Sequence, residues 1–270
     1  MSEPFAVCRA AEIPIATDAR RWLVRDLWSR AAVGIVGGAP KCCKSWFALD
    51  LAVSIASDTP CLGHFEVEES GPTLVFLAED TLPDVRARLA AIATSRGLDF
   101  ADLAVDVITE SVIRVDLPQH RERLVRTLEL RRPRLLLLDP LVRLHRLDEN
   151  SAQEISGLLG FLREIQRSFD CAVVLVHHAS KKQRSRPGQS LRGSSDLHAF
   201  GDSNAYLAAD GADLVLTMEH RSAAAPAPVR LRLVTEPAPH LEIVAPAGPP
   251  TAGPQIGEQV IDWIRAATRP

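Results

Sequence analysis

Lysine is nearly missing from this chain. Four occur, at positions 41, 44, 181 and 182, and arginine supplies 27 of the 31 basic residues. Positive charge is not in excess either: 34 Asp and Glu give a formal net charge of −3. That excludes a polycation, so any nucleic-acid contact must come from a local patch. No apolar run approaches the length of a membrane span; Leu135–Leu138 and Ala172–Val176 are far too short. The first twelve residues carry acids and lack an apolar stretch, so they do not read as a signal peptide. No two of the five cysteines have C-x-x-C spacing. Their odd number and the adjacent Cys42 and Cys43 point to a reducing, cytoplasmic compartment. With 46% hydrophobic and 24% charged residues, disorder of the whole chain is excluded.

What is present is an alternation of short apolar runs with helical patterns. Strands are expected at Ala32–Val36, Thr73–Ala78, Leu103–Thr109, Leu135–Leu138 and Cys171–Val176. Helices are expected at Ser45–Ser57, Leu82–Ser95, Arg121–Leu130 and Ser151–Phe169. Continuous apolar strands are buried on both faces, and their alternation with helices implies an α/β fold with a mostly parallel central sheet flanked by helices. After about residue 212 the pattern becomes Leu214–Glu219, Val229–Thr235 and His240–Val244, short antiparallel strands separated by Ala/Pro-rich turns. The expected organisation is an N-terminal segment (1–31), a core (32–212), a β extension completing the sheet (213–245), a Pro/Gly linker (246–254) and a helix (255–270).

The first strand runs into Gly38, Ala39, Pro40, Lys41, Cys42, Cys43, Lys44 and Ser45, and then the helix that carries Trp46 in its first turn. Gly38, Lys44 and Ser45 fit G-x-x-x-x-G-K-[ST] in the strand–loop–helix context the motif requires. Backbone N–H groups of such a loop cradle phosphates. Lys44 would pair with the β- and γ-phosphates, and the Ser45 hydroxyl would ligate Mg²⁺. These residues form the candidate nucleotide site. The departure is Cys43, which stands where the motif has glycine; a side chain there restricts the backbone and adds bulk. Its thiol, and that of Cys42, could be activated beside Lys44 and a helix N-terminus, or could be small, inert and buried.

Two strands end in acids. Asp139 follows Leu135–Leu138 and fits a Mg²⁺-holding carboxylate beside Ser45; the alternative is a strand-end cap. Glu79 and Asp80 follow Thr73–Ala78, and one of them could polarise an attacking water. Glu79 is favoured, because Asp80 or Thr81 could instead cap the next helix. The strand at Cys171–Val176 leads into His177 and His178, where a polar group can feel a γ-phosphate. Beyond lies Ser180–Ser190, a loop with Lys181, Lys182, Arg184 and Arg186 as candidate DNA contacts; it has no aromatics to stack on bases, and a solvated loop is the alternative.

Together these stretches resemble the RepA-type, RecA-like P-loop ATPases of the AAA group, which include hexameric plasmid replicative helicases. The resemblance spans about residues 20–218 and rests on Gly38–Ser45, Phe76–Asp80, Leu136–Leu144, Asp148–Ser151, Val176–Lys181 and Leu191–Ser195. It implies a RecA-like core, ATP with Mg²⁺, and a homo-oligomeric ring, expected to be a hexamer, near single-stranded DNA in replication or mobile-element maintenance. It implies no membrane partner. It assigns Glu79 as general base, Asp139 as the second metal residue, His178 as sensor and Arg192 as a candidate acting across a subunit interface. The family's arginine beyond the Arg-Gly segment has no counterpart in Ala199–Leu207. That departure and Cys43 keep open a second expectation, a nucleotide-binding regulatory or scaffold protein with weak or no hydrolysis.

Overall fold

The computed structural model describes residues 5–13, 21–178 and 195–246. A small hairpin of β1 (Trp22–Val24) and β2 (Trp28–Ser29) precedes the main sheet. Then follow β3 (Val33–Gly38), α1 (Lys44–Ser57), β4 (Thr73–Leu77), α2 (Leu82–Ser95), β5 (Val105–Val107), α3 (Pro118–Arg131), β6 (Leu135–Asp139), α4 (Ala152–Phe169), β7 (Ala172–His178), α5 (Ser195–Phe200), β8 (Ser203–Asp210), β9 (Asp213–His220), β10 (Val229–Val234) and β11 (His240–Pro246). The main sheet has the order β11-β10-β9-β8-β3-β7-β6-β4-β5. Strands from β8 to β5 in that order are parallel, and β8 to β11 are antiparallel.

The leucines of β6 show why the centre is parallel and covered on both sides. All four are fully buried. Leu135 and Leu137 pack with α1 and α2; Leu136 and Leu138 pack with α3 and α4, as alternation along a strand requires. The helices start where capping chemistry allows. Thr81 Oγ1 accepts from the Asp84 N–H at the head of α2, and Ser151 Oγ accepts from the Glu154 N–H at the head of α4. Two glycines let β3 approach β8. A Cβ on Gly34 would stand 1.6 Å from the Ser203 carbonyl oxygen, and one on Gly38 would stand 2.4 Å from that of Leu207.

The expected strand at Leu103–Thr109 is shorter: a 3-10 turn at Phe100–Asp102 precedes it, and Val105–Val107 pairs in register with β4. β7 runs on through both histidines, since Gly37 and Gly38 pair with His177 and His178. Strand β8 was not anticipated. The expected linker from 247 onward and helix 255–270 lie outside the described residues. Among those residues no helix is long and apolar enough to cross a membrane.

Candidate nucleotide site

Parallel strands end on the same edge of a sheet, which is where ligands bind in such folds. Gly38 is level with His178, and Leu77 with Asp139. The polar residues at these ends therefore converge. One cleft of about 260 Å³ is lined by Lys41 to Trp46 together with Glu79, Arg88, Asp139, Val176 and His178. Gly38, Ala39 and Pro40 open the loop beneath it. The Ala39 carbonyl accepts a 2.7 Å hydrogen bond from Lys44 Nζ, so the ammonium is held inside the loop. Burial draws the Lys44 pKa below the ordinary lysine value, opposed by the nearby carboxylates of Asp139 and Glu79.

Lys41 and Cys43 both have left-handed backbone, at φ +66° and +55°. Cys43 thus adopts the conformation that glycine takes freely, and it does so at the position where the loop turns into α1. Its side chain is half-buried against the core and Cys42 is buried. Burial, with Cys42 beside it, pushes the Cys43 thiol up from its ordinary value. Of the two alternatives open for this thiol, the inert one is favoured: desolvation outweighs Lys44 and Arg88, so the thiol is held in its neutral form.

Asp139 is 7% exposed. Burial raises its carboxyl to about 6, while a hydrogen bond with Ser45 works in the other direction. Its Oδ2 is buried with no hydrogen-bond partner. A buried acceptor without a donor, beside a serine hydroxyl and a lysine, fits a hard divalent cation. No group of three His, Cys, Asp or Glu forms a metal cage among the described residues. A Mg²⁺ site needs only one carboxylate and a hydroxyl when substrate phosphates complete it.

The two acids after β4 have separate partners. Asp80 receives both Arg88 Nη atoms, at 2.7 and 2.9 Å, and the Arg88 guanidinium lies 5.7 Å above the Trp46 ring. Thr81 caps α2. Glu79 accepts from Arg143 Nε at 2.8 Å, in a pair that is largely exposed. Sequence reasoning missed Arg88 and Arg143, whose places are set by folding. Lys181, Lys182, Arg184, Arg186 and Arg192 lie outside the described residues.

A phosphate-type loop from β3 into α1, with acids at the ends of β4 and β6, defines a RecA-like P-loop nucleotide-binding ATPase domain. The chain belongs to the AAA domain family, whose profile matches residues 4–184. Among solved structures it is similar to the ATPase domain of G40P, with a TM-score of 0.60 and 16% identity over 77% of this chain and 84% of that one. A DnaB-like replicative helicase, described with its interactions with primase, gives 0.59 and 16% over 76% of this chain. This chain covers 56% of that helicase. A KaiC-like protein from Pyrococcus horikoshii OT3 gives 0.56 and 14%, over 82% of this chain and 93% of that one. Such low identities carry the fold alone.

Proposed function

We propose that the protein binds and hydrolyses ATP as a RecA-like ring ATPase, helicase-like, acting on or near DNA in replication or mobile-element maintenance. What supports this reading is the meeting of Lys44, Ser45, Glu79, Asp139 and His178 at one cleft, with a buried Asp139 oxygen lacking a donor. Residues 32–212 are the ATPase core in this reading, followed by the β extension, linker and C-terminal helix. It is a cytoplasmic homo-oligomer, a hexameric ring, with no membrane partner.

Each residue has a part. Lys44 exchanges the Ala39 carbonyl for the β- and γ-phosphates of ATP, a charge-assisted gain. Ser45 and Asp139 hold Mg²⁺, which neutralises phosphate charge when bound. Glu79 takes the proton of the attacking water. Its pairing with Arg143 is exposed and worth only about 0–1 kcal/mol, so releasing the carboxylate costs little. Asp80, held at both oxygens by Arg88, is the poorer base. His178 senses the γ-phosphate. Lys181, Lys182, Arg184 and Arg186 contact single-stranded DNA phosphates, and Arg192 reaches toward a neighbouring subunit.

One observation favours a second reading, a nucleotide-binding regulatory or scaffold protein with weak or no turnover: Cys43 occupies a left-handed position inside the loop. Steady-state ATPase assays with reductant and Mg²⁺, with and without single-stranded DNA and across protein concentration, separate the two. Turnover well above that of Lys44→Ala is expected. Turnover equal to it would overturn the motor reading and leave the scaffold.

A further inference from the structure

The two histidines ending β7 face opposite sides of the sheet, as neighbours on a strand do. His178 lines the nucleotide cleft. His177 is 1% exposed and has no part in that cleft. On the other face its Nδ1 stands 3.9 Å from Glu149 Oε1, and the same oxygen stands 3.6 Å from His145 Nε2. The three side chains are 2%, 10% and 1% exposed.

The cluster has a defined polarity. His145 Nδ1 accepts from the Leu147 N–H at 3.2 Å, so the proton of the neutral ring sits on Nε2 and faces Glu149. Burial lowers the His145 pKa, opposed by Glu149, Asp116 and the Leu147 N–H and assisted by Arg114. A carboxylate this buried is costly, and an apolar side chain of similar size would pack more cheaply. Its position is what makes it useful. Glu149 lies in the segment between the turn after Asp139 and the Ser151 cap of α4. It therefore joins the chain leaving Asp139 to the strand that ends in His178. Both contacts are longer than a hydrogen bond, so Glu149 meets the two rings as a loose buried ion-pair cluster.

Resting on the reading of His178 as γ-phosphate sensor, we infer that Glu149 is a positioning residue. Packed between His145 and His177, it sets where the strand end, and with it His178, stands relative to Asp139 and the terminal phosphate of ATP. Glu149 belongs to the Asp148–Ser151 stretch, to which the sequence assigned no chemistry.

The test is calorimetric titration with Mg·ATP and with Mg·ADP of the full chain and of Glu149→Gln, His178→Ala and the double variant. Glu149→Gln should leave ADP affinity unchanged and reduce the ATP-over-ADP preference about fivefold, the upper scale of one loose ion-pair contact. His178→Ala should lose the same preference, and the double variant should lose no more than either alone. If Glu149→Gln does not fold, His177→Gln carries the same expectation. An unchanged preference in the Glu149 variant overturns the inference, as does an equal fall for both nucleotides or strict additivity in the double variant. A His178→Ala protein with full preference removes the sensor itself and, with it, this inference, which separates that failure from a failure of Glu149.

Discussion

Cys43→Gly tests how the phosphate loop tolerates a side chain at its turning point. An L side chain in left-handed backbone costs about 1–2 kcal/mol relative to glycine. Two effects offset the relief. Glycine loses about 0.5–1 kcal/mol more backbone freedom on folding, and the half-buried thiol surrenders packing worth about 0.5 kcal/mol, roughly half a buried methylene. The net change in stability is within about 1 kcal/mol of zero, a melting shift of about 4 °C at most for a chain of this size. The loop holds φ +55° and ψ +27° at Cys43, so the cysteine already has the conformation glycine would take there. Glycine leaves the shape of the cradle unchanged, and the relief enters stability and not affinity. Calorimetry should give Mg·ATP binding by the glycine variant within about threefold of wild type, a difference under about 0.7 kcal/mol. Cys43→Val is the contrast: a β-branched residue at positive φ is a real outlier, and it should melt several degrees lower with most nucleotide binding lost. A glycine variant binding ATP more than about tenfold tighter, about 1.4 kcal/mol, would refute this. It would mean that the cysteine strains the bound loop specifically.

Asp139 carries a folded-state pKa of about 6 against an ordinary 3.8. The folded state therefore prefers the protonated acid, and the resulting destabilisation is absent below pH 4, grows between 4 and 6, and is full above 6. Two units correspond to up to about 3 kcal/mol, so Asp139→Asn should be more stable than wild type in urea at pH 8, nearly equal at pH 4, and unable to bind nucleotide in a Mg²⁺-dependent way; lower stability at pH 8 would contradict the account. Glu79→Gln should keep Mg·ATP binding and lose about 10²–10⁴-fold in turnover. Full turnover in that variant, with loss in Asp80→Asn, would move the base to Asp80. Replacing Lys181, Lys182, Arg184 and Arg186 with Ala should flatten the salt dependence of single-stranded DNA binding by up to about 3, at about 0.7 per phosphate contact. An unaltered slope in filter binding across salt would exclude that loop.

The cleft was legible because buried parallel strands are continuous apolar runs, and a polar residue at the end of one stands out. Asp139 after four leucines and Glu79 after Thr73–Ala78 are visible for that reason. Strand β8 was not. It opens with Ser203 and Asn204, polar residues that read as loop, yet both are buried and satisfied across the fold. Ser203 Oγ accepts from the Ser29 N–H at 3.0 Å, and Asn204 Oδ1 from the Ile35 N–H at 2.9 Å. Nor could sequence single out Arg88 and Arg143 among 27 arginines, because each is paired by contacts between separate elements. At Cys43 the sequence revealed a side chain in a glycine position. Only the backbone angle shows that the loop keeps glycine's conformation regardless.

The bare backbone of Gly38 answers to two neighbours at once. On one side it begins the phosphate loop; on the other, the carbonyl of Leu207 occupies the space where a Cβ would go. Any replacement pushes β8 outward, and with it the whole antiparallel ribbon that hangs from that strand. A Gly38 variant that fails to bind nucleotide would thus report a displaced sheet as readily as a damaged loop. Lys44, whose side chain can be shortened without moving either strand, is the sound place to silence the site.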